Sequence, residues 1–197
     1  MGGAIRGDNM KTIKMNSQDL GLVGTIDTYQ TYKGDSSDDY LIGVYNEEHG
    51  TDYGYDDFEW EYDLEQIVKD LAEVRAKRLE EDNSAVSCVK VVKTGSPQFY
   101  NYGTDWAIFE ITYDDKKVED YIEEHADDYK QWRVQANWAY NIDWREEGDK
   151  KKELEEMAKL SYFLNKTTYD YDEGWYYALA EDETGIYVEN TKMGLKN

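Results

Sequence analysis

Between Asp63 and Asp82 the chain reads DLEQIVKDLAEVRAKRLEED. Its apolar residues Leu64, Ile67, Val68, Leu71, Val74 and, less regularly, Leu79 recur at a spacing that brings them onto one face of an α-helix. Asp63 stands where an N-cap belongs. Just downstream, AVSCVKVVK (85–93) and WAIFEITYD (106–114) are short runs rich in β-branched and aromatic residues, which read as strands. An amphipathic helix feeding strands without strict βαβ alternation points to the α+β class. The expected architecture is antiparallel hairpins or sheet packed with about three amphipathic helices.

The rest of the chain fills in that frame. LVGTIDTYQTYK (22–33) and YLIGVY (40–45) flank the turn-type cluster GDSSDD and read as a hairpin. A second helix is predicted from Asp115, with Val118, Tyr121, Ile122, His125, Tyr129 and Trp132 on its inner face. A third covers 148–165, with Asp149 as cap and Leu154, Met157, Ala158, Ser161 and Leu164 inward. EGWYYALAEDETGIYVEN (173–190) reads as a closing hairpin, and 95–105 as a loop around the single proline, Pro97. Residues 1–10 read as a disordered N-terminal extension, with Met10 offering an internal start. Residues 11–197 read as one compact domain, or as two subdomains broken near 83–96.

Charge narrows the function classes. The chain carries 44 acids against 22 bases, a net charge of −22. The excess is even, with 20 acids and 10 bases in residues 1–98, so no acidic tail explains it. Self-repulsion of this size costs stability. It also disfavours direct binding to nucleic acid or an anionic membrane, which recruit Lys and Arg. Lys outnumbers Arg by 17 to 5, which argues against adaptation to high salt. No apolar run approaches the length of a membrane helix. No apolar signal region opens the chain, so a cytoplasmic protein of a bacterial host cell is expected. Cys88 is the lone cysteine, consistent with a reducing compartment and read as a small buried residue.

Signatures of enzyme chemistry are missing. There is no phosphate-binding glycine loop, no nucleophile elbow and no HExxH pair. Two histidines, His49 in a predicted loop and His125 on a predicted inner face, cannot build a histidine-rich metal site. DSSDD (35–39) lacks the glycine and glutamate of a calcium loop. No catalytic residue, metal or cofactor is therefore expected.

Two stretches stand out instead. In the second helix Glu119, Glu123 and Asp127 lie at i, i+4 and i+8, and Asp120, Glu124 and Asp128 repeat that spacing one residue along. The axial step within each row is about 6 Å, on the scale of a nucleic-acid backbone. Like charges at i, i+4 destabilise a helix, so stability alone does not favour such rows. The second stretch lies in the interval from Gly34 to Val68, which holds 12 acids and no base. Within it, YDDFEWEYD (55–63) consists only of acids and rings. Extended, it places Phe58, Trp60 and Tyr62 on one face and Asp57, Glu59, Glu61 and Asp63 on the other, with Asp56 beside them. The rings would anchor a strand and the acids form a comb facing solvent.

SPQFYNYGTDWAIFEITYD (96–114) resembles a motif, S-P-x-x-Y-N-[FY]-x-T-D followed by a strand, found in small proteins of phages and mobile elements. The matching residues are Ser96, Pro97, Tyr100, Asn101, Tyr102, Thr104 and Asp105. In general character the chain is similar to acidic anti-CRISPR and anti-restriction proteins. The resemblance implies a mobile-element origin and attaches no catalytic role.

These features lead to an expected inhibitor of a prokaryotic nucleic-acid-binding defence enzyme, a CRISPR nuclease or a restriction enzyme. It would act as a DNA mimic in a basic groove. The expected contact residues are Glu119, Asp120, Glu123, Glu124, Asp127 and Asp128, with Asp56, Asp57, Glu59, Glu61, Asp63 and Trp60. The main alternative is an acidic adaptor or assembly protein of a phage or mobile element that binds a basic partner without enzymatic activity. A carboxylate-based hydrolase or Mg²⁺/Ca²⁺ protein is a third reading.

Overall fold

A computed structural model describes residues 9–17, 31–32, 35–95, 106–139, 148–167 and 181–196. Its class is α+β, as expected. The central sheet has three antiparallel strands in the order β1 (Met10–Asn16), β6 (Trp106–Asp114), β5 (Val86–Gly95). Strand β6 alternates without a break. Ala107, Phe109, Ile111 and Tyr113 are buried, and the residues between them are half-exposed. In register, Ile111 faces Ile13 on one side and Val89 on the other. Helix α2 (Leu64–Glu81) packs on β5 and β6 through Ile67, Val68, Leu71, Ala72, Ala76 and Leu79. Asp63 caps it, its carboxylate accepting from the Gln66 amide at 3.2 Å. Helix α5 (Asp149–Thr167) closes the core with Leu160, Phe163 and Leu164.

Four expected elements differ. Residues 40–45 belong to helix α1 (Ser37–His49), not to a strand. Asp38 and Asp39 stand in its first turn, where the helix dipole favours anions. It ends at Gly50, whose φ of +64° allows Thr51 N–H to reach the Asn46 carbonyl at 3.1 Å, the 6→1 bond of a Schellman motif. His49 is thus the last helical residue, not a loop residue. Of 22–33, only β2 (Thr31–Tyr32) is described, and it pairs with β3 (Asp35–Ser36).

The expected hairpin at 173–190 gives way, over its described part, to helix α6 (Glu181–Glu189). Strand β7 (Thr191–Leu195) follows and pairs antiparallel with β4 (Phe58–Tyr62). Glu183, Thr184 and Tyr187 are buried at helical spacing. Burial thus overrides the β-branched character of the segment. The expected helix from Asp115 is two helices, α3 (Asp115–Glu124) and α4 (Ala126–Ala139), interrupted at His125. Met10, expected in an extension, opens β1. Asp149, expected as a cap, is already helical and follows Gly148 at φ +68°. Cys88 is only partly buried. The motif at 96–105 lies outside the described residues. Among the described residues, no helix is long and apolar enough to cross a membrane.

Candidate functional site

Asp114 starts α3 by accepting hydrogen bonds from the Lys116 and Lys117 amides. Val118 is the helix's one buried residue, with Tyr121 and Ile122 half-buried beside the core. Every acid of the two predicted rows is exposed. The rows do not run along one helix, because His125 takes φ −118° and ψ 31° and separates α3 from α4. Glu119, Asp120, Glu123 and Glu124 therefore stand on α3, and Asp127 and Asp128 on α4. His125, expected on the inner face, is exposed. Its Nδ1 lies 2.8 Å from the Tyr121 carbonyl, and its ring stacks on that of Tyr121 at 4.1 Å.

Half of the six row carboxylates are engaged by the protein itself. Lys159 of α5 donates to Glu119 at 3.0 Å and holds its carboxyl below the usual range. Lys116 donates to both oxygens of Asp120, at 2.8 and 2.9 Å. Asp128 accepts from the Tyr162 hydroxyl at 2.7 Å and pairs with Lys166 at 3.3 Å. The Tyr162 hydrogen bond, then Lys166, depresses its carboxyl. Among the described residues, Glu123, Glu124 and Asp127 have no such partner. Two of these three lysines, Lys159 and Lys166, are supplied from α5, and Lys116 comes from the first turn of α3 itself.

The comb forms in part: Phe58–Tyr62 is the strand β4 and alternates as predicted, whereas Asp56 and Asp57 lie in a 3-10 turn (Tyr55–Asp57) and Asp63 is the cap of α2. Phe58 is buried, Trp60 and Tyr62 are half-buried, and Glu59 and Glu61 are exposed. The rings of Tyr55, Trp60 and Tyr62 stack in series, with centroids 5.2 and 6.2 Å apart. Tyr62 donates to Asp38 at 2.7 Å, and burial together with this bond pushes its phenol well up. Several comb acids have local work. Asp57 accepts from the Gly54 amide, Asp63 caps α2, and Glu61 pairs with Lys192 at 3.1 Å. Glu59 and the Asp56 carboxylate have no partner among the described residues. The two acidic stretches stand on different supports: β4 pairs with β7, whereas α3 and α4 pack on α5.

One feature of the site escaped the sequence reading. Both histidines of the chain end the sequence Tyr-x-Glu-Glu-His, at Tyr45–His49 and Tyr121–His125. Both segments end a helix, and both histidine rings stack on their tyrosine at 4.1 Å. Both Nδ1 atoms approach the tyrosine carbonyl, at 2.9 and 2.8 Å. Ile42 and Val118, three residues earlier, are both buried. Asp52-Tyr53 and Asp128-Tyr129 follow at equal spacing. The rarity of histidine here was the available signal. In both copies the paired glutamates occupy the last helical turn, where the dipole disfavours negative charge.

Among the described residues no group of three or more His, Cys, Asp or Glu side chains is arranged to hold a metal ion. No protein-family model, curated protein or solved structure matches the chain.

Proposed function

We propose that the protein inhibits a prokaryotic nucleic-acid-binding defence enzyme, a CRISPR nuclease or a restriction enzyme, by occupying a basic groove as an acidic DNA mimic. The observation that carries this reading is the placement of Glu123, Glu124 and Asp127. They are exposed, unpartnered among the described residues, and in part set against a helix dipole. Stability does not account for Glu123 and Glu124, whereas a cationic partner does; Asp127, in the first turn of α4, is favoured by that helix's own dipole. With a net charge of −22, association with a basic groove is steered at long range and releases counterions from both surfaces. Glu59 and Asp56 on the β4 side extend the acidic surface, with Trp60 as an apolar anchor.

The test is displacement of duplex DNA from a purified Cas9–guide complex and from a panel of restriction enzymes. Displacement at stoichiometric amounts that weakens steeply with salt is expected. A Glu123/Glu124/Asp127→Lys variant should fail to displace. If every enzyme keeps its DNA, the mimic reading falls.

The second reading is an acidic adaptor that binds a basic protein without blocking nucleic acid. Its support is the internal pairing of Glu119, Asp120 and Asp128, which thins the charge available to imitate phosphates. It predicts a ternary complex in which partner, DNA and this protein coexist.

A further inference from the structure

Strands β4 and β7 form a two-stranded ribbon, and no third strand joins it among the described residues. The pairing fixes which main-chain groups face outward. Lys196 N–H reaches the Asp57 carbonyl at 2.9 Å, and Asp63 N–H reaches the Asn190 carbonyl at 3.0 Å. Asp57, Glu59, Glu61 and Asp63 therefore point their backbone groups at β7, and Phe58, Trp60 and Tyr62 point theirs away from it. The Phe58 amide is spent on the Tyr55 carbonyl. The main-chain N–H and C=O groups of Trp60 and Tyr62 take no partner among the described residues, and they make a short open edge.

An exposed edge invites a further strand, and proteins blunt such edges with lysine, proline or bulges. The outer strands of the central sheet are blunted in this way. Strand β5 carries two register shifts, and Glu80 of α2 accepts from its Val89 amide. Strand β1 bears Lys11 and Lys14. Strand β4 has no bulge, proline or lysine, and its polar face carries Glu59 and Glu61 instead. Lys192 pairs with Glu61, whereas Glu59 lies opposite Gly194 and has no partner among the described residues.

Carboxylates beside an edge repel a second copy of this chain, whose net charge is −22, and attract a basic strand. The alternation of β4 completes the match. One face offers Glu59 and Glu61, and the other offers the half-buried Trp60 ring with Met193 of β7 opposite. A strand laid along this edge sets its own alternate side chains on the same two faces. We propose that β4 receives an extended segment of the basic partner as a third strand, with basic residues beside Glu59 and Glu61 and apolar residues beside Trp60. Main-chain hydrogen bonds to Trp60 and Tyr62 supply the pairing, and the alternating pattern selects the segment. The inference rests on the reading above for a basic partner, and the edge itself is tested without one.

The experiment is an NMR titration of the isotope-labelled full chain at fixed ionic strength. The probes are the peptide Lys-Val-Lys-Val-Lys-Val-Lys, the same peptide N-methylated at its valines, and its counterpart with Glu in place of Lys. The first should bind saturably and slow hydrogen exchange at the Trp60 and Tyr62 amides. N-methylation removes the donors that would face β4 and should weaken binding by about ten-fold or more. The acidic peptide should not bind. Glu59→Gln should weaken the basic peptide by about three-fold and Glu59→Lys by about ten-fold. Glu73→Gln, on the exposed side of α2, should leave it unchanged. Equal binding of the N-methylated peptide, or binding that leaves both amides unprotected, would overturn the strand pairing. Shifts that fail to saturate, or an equal loss in Glu73→Gln, would overturn the edge as a distinct site. Peptide binding while no nuclease loses its DNA removes the mimic reading alone. Displacement of DNA without peptide binding removes the edge alone.

Discussion

Tyr162 is fully buried, yet its hydroxyl donates a 2.7 Å hydrogen bond to Asp128, whose carboxylate is half-exposed on α4. The bond ties an acidic row to the aromatic packing around Tyr162, where Tyr129 and Trp132 meet its ring edge to face at 5.1 and 5.6 Å. It also makes one carboxylate of the candidate surface a structural group.

A pH dependence follows. The carboxyls of Asp128 and Glu119 are both depressed, by Tyr162 with Lys166 and by Lys159 respectively. A depressed carboxyl adds stability that is full above its unfolded value, about 3.9 for Asp. That stability is lost as pH falls through the lower folded value. Asp128→Asn should therefore be less stable than wild type at neutral pH, with the gap closing below about pH 4. Urea unfolding of both proteins from pH 7 to pH 2.5 checks this, and a gap that stays constant to the lowest pH would sink it.

Glu123 and Glu124 should trade binding for stability. Both are exposed in the last turn of α3, opposed by the dipole and by the protein's own field. Glu123→Gln with Glu124→Gln should raise stability by about 0.5 kcal/mol or more while weakening any basic partner. Calorimetry on the free protein and the displacement assay read the two effects separately.

The ion cluster beneath α6 should tolerate little. Glu183 is 2% exposed and accepts from Arg78 at 3.0 Å, with Arg75 at 3.5 Å. Glu183→Ala leaves two guanidiniums short of their counter-charge, and a loss of about 3 kcal/mol is expected. A double-mutant cycle with Arg78→Met should recover part of that loss, because the second change removes one stranded charge.

Gly95 faces Trp106 across the β5–β6 ladder, and a Cβ built there would sit 2.5 Å from the indole ring. Gly95→Ala should therefore cost about 1–3 kcal/mol through overpacking. Combining it with Trp106→Leu should reduce the penalty. Thermal melts of the two single variants and the double variant decide the point.

Elements that make their own case locally were legible in the sequence. Helix α2 shows its apolar stripe and its Asp63 cap within twenty residues. Strand β6 states its alternation in nine, and β4 its comb in five. Helix α5 is likewise visible from its inward residues. The acidity of the surface was a matter of composition alone.

What the sequence could not carry was anything set by distant neighbours. Strand β1 hides among lysines, and only its pairing of Ile13 with Ile111 makes it a strand. Strand β7 exists because Phe58 through Tyr62 supply its hydrogen-bond partners from far earlier in the chain. The β-branched residues of α1 and α6 would suit strands. Burial of Ile42 and Tyr187 at helical spacing outweighs propensities worth only tenths of a kcal/mol per residue. The same holds for the acidic rows. Their spacing was visible, but which carboxylates stay free depended on where α5 brought Lys159, Lys166 and Tyr162. Charge count is a property of the sequence; charge pairing is a property of the packing, because an ion pair forms only between side chains that the fold brings within reach.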